Sequence, residues 1–362
     1  MFKKIIYLIL FILTINFYSY IYYFPNFIFQ NKYIFNKIKY IGKSLSTDLL
    51  KYGYQSNIYL SSEKNFQFNI QSNPNLIDII ISNHISGLDF IIILSYLDKY
   101  KINNYNFVLK NDINYIPGLG IIMYLNSDIK LNRNWQDDQS QLKIQLDKII
   151  KNIDNEKQVI IIFPEGTRIN NNKLLEGQEF SKKNNLHVFN NLLVPKTKGI
   201  YFIINYLLEK NILGKIWDLS LVIDNLDCNF SLMNDINNIY GIIKEVNLES
   251  FYNNPKENNC QQEFSKQYSE NCSLQKKNSF FCQQEEFKNK FLDFWKKKDN
   301  LLSNFDKLEY EKLDYDTNYL DNIQIVIVIL LFLIFMTFKY TRYYLFLSVL
   351  FCYLIIIFKI KI

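Results

Sequence analysis

The residue types and spacing that best suit catalysis occur at His84 and Asp89, five positions apart. An imidazole titrates near neutral pH, so it can accept a proton there. A carboxylate bonded to one ring nitrogen fixes the tautomer and leaves the other nitrogen as a directed general base. The apolar run 79–81 predicts a buried strand just before the pair, and a helix beginning near Ser86 would bring Asp89 within reach of the ring. The alternative is a strand-end histidine that only caps a turn, because His-x4-Asp is a short pattern.

A second candidate group, Phe-Pro-Glu-Gly-Thr-Arg, occupies residues 163–168 at the end of another apolar run. Pro164 has no N–H and ends a strand ladder, and Gly166 permits close backbone approach. Arg168 offers a planar guanidinium suited to phosphate, and Glu165 can orient a hydroxyl or the arginine. Backbone N–H groups near Gly166 are candidates for stabilising an oxyanion. The alternative is a Pro-Gly turn that carries a surface ion pair.

Further cations lie near these groups in the sequence. Lys110 and Arg133 are candidate phosphate ligands, with ordinary solvated charge as the alternative. Lys196 follows the apolar run 192–195, at what the pattern predicts to be a strand end. The second histidine, His187, has no carboxylate at a matching spacing, and we predict a structural role for it.

The elements that must position these residues alternate along the chain. A mixed pattern at 140–152 predicts a helix, and apolar runs predict strands at 66–70, 76–82, 105–109, 159–163, 192–195 and 219–223. Strands alternating with helices predict an α/β sheet over residues 43–250. Functional groups in such sheets lie on the loops that follow the carboxyl ends of the strands.

Composition narrows the classes of partner and site. The 362 residues carry a formal charge of +6, which indicates no nucleic-acid partner but suits an anionic membrane surface or a phosphorylated substrate. The five cysteines contain no Cys-x-x-Cys pair, which indicates neither a zinc site nor a disulfide framework. We therefore predict no metal and a reducing, cytosolic setting for the globular part.

Both ends of the chain have the composition of membrane segments. Residues 5–30 carry no charge, which predicts a membrane segment at 1–31 whose carboxyl side, followed by several lysines, is cytosolic. A membrane-dipping helix bent at Pro25 is the alternative, and a cleaved signal peptide is disfavoured. The uncharged runs 323–338 and 343–358 would each be about 24 Å long as helices. They predict two thin spans or a shallow hairpin, with a pair of apolar core helices as the alternative.

Residues 253–286 are polar and contain an imperfect duplication, Cys-Gln-Gln-Glu, beginning at Cys260 and Cys282. This composition predicts a flexible low-complexity insert, after which a helix resumes at 287–313. A metal site that uses Cys260, Cys272 and Cys282 is disfavoured, because their spacings fit no zinc pattern.

Four blocks in this order resemble the glycerolipid acyltransferase family, and in particular its 1-acylglycerol-3-phosphate and lysophospholipid acyltransferase branch with C-terminal membrane segments. The first block, Asn-His-x4-Asp with a serine, is matched by Asn83, His84, Ser86 and Asp89. The second is matched by Lys110, Pro117, Gly120 and Arg133, and the third in full by residues 163–168. The fourth is matched by residues 194–199, with Lys196 where the family more often has arginine. A tract at 291–302 resembles a helix found further downstream in the same branch.

The resemblance implies a single mixed-sheet acyltransferase domain with helices on both faces, flanked by N- and C-terminal membrane helices. It implies acyl transfer from acyl-CoA, as co-substrate, to the hydroxyl of a lysophospholipid, without cofactor or metal. His84 would be the general base oriented by Asp89, and the substrate-binding residues would be Lys110, Arg133, Glu165, Gly166, Thr167, Arg168 and Lys196. Lysophosphatidic acid is the expected acceptor. Lysophosphatidylinositol or lysocardiolipin is the alternative, and an inactive membrane lipid-binding scaffold is the alternative of another class.

We expect acyl-CoA, a lysophospholipid and membrane lipids as the partners of this chain. The expected location is the endoplasmic reticulum membrane, with the catalytic domain facing the cytosol. The sequence does not predict an oligomeric state.

Overall fold

One eight-stranded mixed sheet organises the protein. The computed structural model describes residues 43, 46–62, 75–115, 126–132, 134–153, 157–224, 236–252 and 275–313. The strands are β1 (Asn57–Ser62), β2 (Ile77–Ser82), β3 (Asn104–Lys110), β4 (Ile129–Leu131), β5 (Gln158–Ile162), β6 (Leu213–Ile223), β7 (Asn238–Val246) and β8 (Glu311–Lys312). Their order across the sheet is β4-β3-β5-β2-β6-β7-β1-β8. The pairs β6–β7 and β1–β8 are antiparallel and all other neighbours are parallel.

In the part of the chain that the structure describes, five α-helices accompany the sheet, and four of them cover its two faces. They are α1 (Asp89–Lys99), α2 (Trp135–Lys151), α3 (Asn171–Lys183), α4 (Thr197–Glu209) and α5 (Gln275–Leu302). Helix α1 packs on one face, whereas α2, α4 and α5 pack on the other. β2 feeds both cores, with Ile80 in the α1 core and Ile79 and Ile81 in the opposite core, as the two-residue repeat of a strand requires. The described part of the chain is therefore a single mixed α/β sheet with helices on both faces.

Several predicted elements are confirmed within a residue or two. The strands predicted at 76–82, 105–109 and 159–163 correspond to β2, β3 and β5, and the run 219–223 is the second half of β6. The helix predicted at 140–152 is α2, which begins earlier because Asn134 caps it by accepting the Gln136 N–H at 3.3 Å. The strand predicted at 66–70 lies outside the described residues.

The strand predicted at 192–195 is wrong. These residues are buried, but they form an irregular segment between α3 and α4. The Leu193 carbonyl accepts a hydrogen bond from the Trp295 indole N–H at 3.0 Å, so a side chain of α5 takes the place of a strand neighbour. Burial alone therefore explains the apolar run.

The C-terminal helix also differs from expectation. It begins at Gln275, twelve residues before the predicted start, and ends at Leu302, where a short 3-10 turn and β8 follow. The predicted membrane segments at 1–31 and 323–358 lie outside the described residues. Among the helices that the structure does describe, none has the length and apolar character needed to cross a bilayer.

Candidate active site

The two loops that carry the candidate residues meet because β2 and β5 are parallel neighbours. Ile81 of β2 is in register with Ile162 of β5, so both strands end at the same edge of the sheet. Asn83 ends β2: its amide donates to the Leu221 carbonyl at 2.9 Å and accepts from the Leu221 N–H at 2.7 Å. The side chain thus completes the ladder with β6, and the backbone is released to turn into the loop.

In that loop His84 is bonded to Asp89, as the spacing predicts. His84 Nδ1 lies 2.7 Å from Asp89 Oδ2. The carboxylate, which is 1% exposed, also accepts the N–H groups of Ile85 at 2.7 Å and Ser86 at 3.0 Å, and the Ser86 hydroxyl at 2.9 Å. Asp89 is the first residue of α1, and a carboxylate is favoured in the first turn of a helix.

These contacts determine which imidazole nitrogen can act as a base. The other groups around the Asp89 carboxylate are donors, so this carboxylate is held as an acceptor. His84 Nδ1 therefore carries the proton, and Nε2 presents a lone pair. The imidazole side chain is 26% exposed, and its ring lies 4.6 Å from the Phe163 ring. The base thus has one fixed side and one side open to a substrate.

The turn after β5 is fastened to the His84 loop. The Ile169 N–H donates to the His84 carbonyl at 2.9 Å, and the Lys196 N–H donates to the Pro164 carbonyl at 2.7 Å. Gly166 has φ +66°, a conformation that favours glycine. Its N–H donates to the Phe163 carbonyl at 3.0 Å, so this N–H is not available to an oxyanion.

Two cationic side chains lie beside the two loops. Arg168 is exposed, and its Nη1 would be 3.0 Å from a β-carbon placed on Gly87. The exposed Lys196 side chain lies against Gly166, with Nζ 3.4 Å from the position of a β-carbon there. A β-carbon at either position would push the neighbouring cation away by a few tenths of an ångström. The guanidinium of the third block therefore touches the loop that carries the base.

Glu165 differs from the other predicted binding residues because it is buried. The residue is 2% exposed, and neither carboxylate oxygen has a hydrogen-bond partner among the described residues. Burial raises its pKa well above the ordinary 4.5, and Asp89 raises it further. Lys298 and the nearby N–H groups of His84 and Leu193 partly oppose that rise.

The remaining predicted residues lie further out. Lys110 ends β3 at the same edge of the sheet, where it is half exposed and paired with Asp112. Thr167 is partly exposed within the turn after β5. Arg133 lies outside the described residues. In the part of the chain that the structure describes, no group of three or more His, Cys, Asp and Glu side chains is arranged to hold a metal.

Sequence reasoning missed the contribution of α5. Lys298 binds Asp218 of β6 behind the two loops, and Asp299 accepts the N–H groups of Asn190 and Asn191 at 3.1 and 2.8 Å. Asp299 also lies 3.8 Å from His187, the histidine for which the sequence offered no carboxylate. The sequence feature that could have predicted this contribution is the pair Lys298 and Asp299 inside an otherwise apolar helical stripe.

Comparison with known proteins agrees with the family resemblance of the four sequence blocks. The family model described as Acyltransferase matches residues 65–198. Lysocardiolipin acyltransferase 1 of Mus musculus is 28% identical over 144 residues, 40% of this chain and 38% of the mouse protein. Lysophosphatidylinositol acyltransferase 10 of Caenorhabditis elegans is 30% identical over 146 residues, 40% of this chain and 37% of that protein. A probable 1-acyl-sn-glycerol-3-phosphate acyltransferase 5 of Arabidopsis thaliana is 26% identical over 192 residues, 50% of this chain and 48% of the plant protein.

The matched region thus spans less than half the length of each of these relatives. Among solved structures, a 1-acyl-sn-glycerophosphate acyltransferase of Thermotoga maritima covers 81% of this chain and 98% of its own, with 16% identity and a TM-score of 0.37. A TM-score of this size does not establish a common fold. The likeness that counts is the match over residues 65–198, which contains every predicted site residue.

Proposed function

We propose that this chain belongs to the glycerolipid acyltransferase family, which the match of residues 65–198 to the Acyltransferase model supports, and that it transfers an acyl group from acyl-CoA to the hydroxyl of a lysophospholipid. The observation that carries the proposal is the His84–Asp89 pair at 2.7 Å, with Arg168 against the same loop. A general base and a cation side by side suit an acceptor that has both a hydroxyl and a phosphate.

The chemistry follows from the tautomer. His84 Nε2 takes the proton of the acceptor hydroxyl as its oxygen attacks the thioester carbonyl. The tetrahedral intermediate collapses, the C–S bond breaks, and the proton passes from the imidazolium to the departing CoA sulfur. Because a thiolate is a good leaving group, no covalent enzyme intermediate is required. Asp89 stabilises the imidazolium while it exists.

The phosphate of the acceptor fits the cationic side of the site. Arg168 offers parallel N–H donors to a phosphate, and Lys196 adds a point charge across Gly166. Lys110, at the same edge of the sheet, is a further candidate for the phosphate in this proposal, as is Arg133, which lies outside the described residues. Glu165, which is buried, acts from behind the turn and does not bind the acceptor directly.

We take lysophosphatidic acid as the first acceptor, acylated at its sn-2 hydroxyl to give phosphatidic acid. The second candidate is a lysophospholipid with a larger head group. The matches to a lysocardiolipin and a lysophosphatidylinositol acyltransferase favour it. Head-group choice depends on pocket shape, so competition between acceptors decides it. Membrane attachment through residues 1–31 and 323–358, and location in the endoplasmic reticulum, stay predictions.

The test is CoA release by the full chain reconstituted in vesicles, with acyl-CoA and a panel of lysolipids. The chain has two histidines, which provide a matched pair of variants. We expect His84→Ala to lower kcat by about 10²–10⁴-fold, the usual contribution of a general base. His187→Ala should retain wild-type activity.

Equal turnover by wild type and His84→Ala would refute the assignment of the base. Absence of CoA release with every lysolipid would favour the lipid-binding scaffold instead. A lysocardiolipin or lysophosphatidylinositol rate well above that for lysophosphatidic acid would select the second acceptor.

A further inference from the structure

Helix α5 places a lysine where a core residue is expected. Its buried stripe runs through Phe287, Phe291, Trp295 and Leu302, and Lys298 occupies the position between the last two. The Lys298 side chain is 0% exposed, whereas its neighbours Lys296 and Lys297 are exposed. A buried ammonium is costly unless it is paired and hydrogen-bonded, so its partners must account for it.

Those partners belong to the carboxyl end of β2 and to the part of β6 that pairs with it. Lys298 Nζ lies 2.5 Å from Asp218 Oδ1, 2.8 Å from the Leu219 carbonyl and 3.4 Å from the Ile81 carbonyl. Ile81 is two residues before Asn83, and Leu219 is two residues before Leu221, the partner of Asn83. The ammonium thus joins β2 to β6 just before β2 ends and the chain turns into the His84 loop.

The same ammonium is the charge that most opposes the rise in the pKa of Glu165. Two charged groups from other elements act on Glu165: Asp89 of α1 and Lys298 of α5, and Lys298 is itself bonded to Asp218 of β6. The exposed Arg168 and Lys196 flank its own turn. Both Glu165 oxygens are buried and have no hydrogen-bond partner among the described residues, so the Lys298 ammonium and the nearby N–H groups of His84 and Leu193 are what offsets the cost of burying a charge there.

We propose that Lys298 is a positioning residue of the acyl-transfer site: its buried ammonium holds the carboxyl end of β2 against β6, directly before the loop that carries His84. The expected effect on turnover depends on the proposed function. The expected effects on Glu165 and on the packing of β2 against β6 do not.

The test compares four variants of the full chain. Lys298→Met removes the charge and keeps the length, and Asp218→Val with Lys298→Met removes the whole ion pair. Lys157→Met breaks a buried lysine–aspartate pair at the opposite edge of the sheet, where Lys157 Nζ lies 2.6 Å from Asp78 Oδ1. Lys297→Met is the exposed control on the same helix. The readouts are Tm, kcat with the best lysolipid, and infrared titration of Glu165, whose carboxyl band is assigned by its loss in Glu165→Gln.

Lys298→Met should lower Tm, lower kcat by about 100-fold through displacement of the loop, and move the protonation midpoint of Glu165 to higher pH. The double variant should recover most of the Tm, because apolar replacement of a buried pair is often neutral. It should recover neither kcat nor the midpoint. Lys157→Met should lower Tm alone, and Lys297→Met should change nothing.

Two results would overturn the proposal. One is an unchanged Glu165 midpoint in Lys298→Met, and the other is full recovery of kcat together with Tm in the double variant; either would make Lys298 a purely structural residue. If the wild-type chain acylates no lysolipid, the proposed function fails, and the infrared midpoint still decides the role of Lys298.

Discussion

The two ends of β2 carry the same kind of buried ion pair in opposite arrangements. At the amino end the carboxylate collects the donors: Asp78 binds Lys157 Nζ at 2.6 Å, the Lys215 N–H at 2.8 Å and the Trp217 indole at 2.8 Å. At the carboxyl end the ammonium collects the acceptors, because Lys298 binds Asp218 and two backbone carbonyls.

The two ion pairs differ in the groups that lie near them. Asp78 is matched by three donors, one of which is a buried ammonium. The Lys298 ammonium also acts electrostatically on a second buried carboxyl group, that of Glu165. The two oxygens of Glu165 have no hydrogen-bond partner among the described residues. The comparison indicates that the amino end of the sheet holds the fold together, whereas the carboxyl end holds a buried carboxyl group without a hydrogen-bond partner among the described residues, beside the candidate base.

The largest effect is expected from Asp89→Asn at the carboxyl end. The amide would present an N–H to His84 Nδ1 and favour the wrong tautomer, so kcat should fall by about 10⁴-fold, as in other His-carboxylate sites. Steady-state CoA release in vesicles measures it. A loss below tenfold would mean that Asp89 does not orient the base.

At the amino end, Asp78→Ala should act on stability alone. It leaves the Lys157 ammonium buried without its partner, which costs about 3–5 kcal/mol in the free energy of unfolding. Urea denaturation followed by circular dichroism measures the change. The kcat of the folded fraction should equal that of the wild type. A fall in kcat at temperatures where the variant is folded would contradict the separation of the two ends.

Glu165→Gln should raise stability at neutral pH and lose that advantage in acid. Burial raises the folded-state pKa of Glu165 well above 4.5, so the folded protein retains a proton that the unfolded chain has lost. Wild-type stability therefore falls as pH rises from about 4.5 through the folded-state pKa, and glutamine avoids this loss. Unfolding free energies measured across this pH range test the sign. A glutamine variant less stable than wild type at pH 7 would show that Glu165 has a stabilising partner.

The smallest effect is expected from Gly87→Ala. The added β-carbon would lie 3.0 Å from Arg168 Nη1, and the exposed arginine can move aside. We expect KM for the lysolipid to rise by about tenfold, equivalent to 1.4 kcal/mol, with little change in kcat. An unchanged KM would remove Arg168 from the acceptor site.

The sequence predicted best those features that depend on near neighbours. His84 and Asp89 lie in one loop and bond as their spacing requires, and β2 and β5 are apolar enough to be recognised as strands. The strand predicted at 192–195 failed because its partner is Trp295, about a hundred residues later. The role of Lys298 was not predicted for the same reason, since its acceptors lie some 80 residues or more away in β6 and β2.

The position of α5 has a consequence for how the protein is made. A ribosome that has released residues 1–252 has already produced the base, its carboxylate and Arg168. The helix that supplies Lys298 to β2 and β6 comes later, at residues 275–302. If Lys298 positions the site as proposed, a nascent chain reaches full activity only after this helix has emerged from the ribosome.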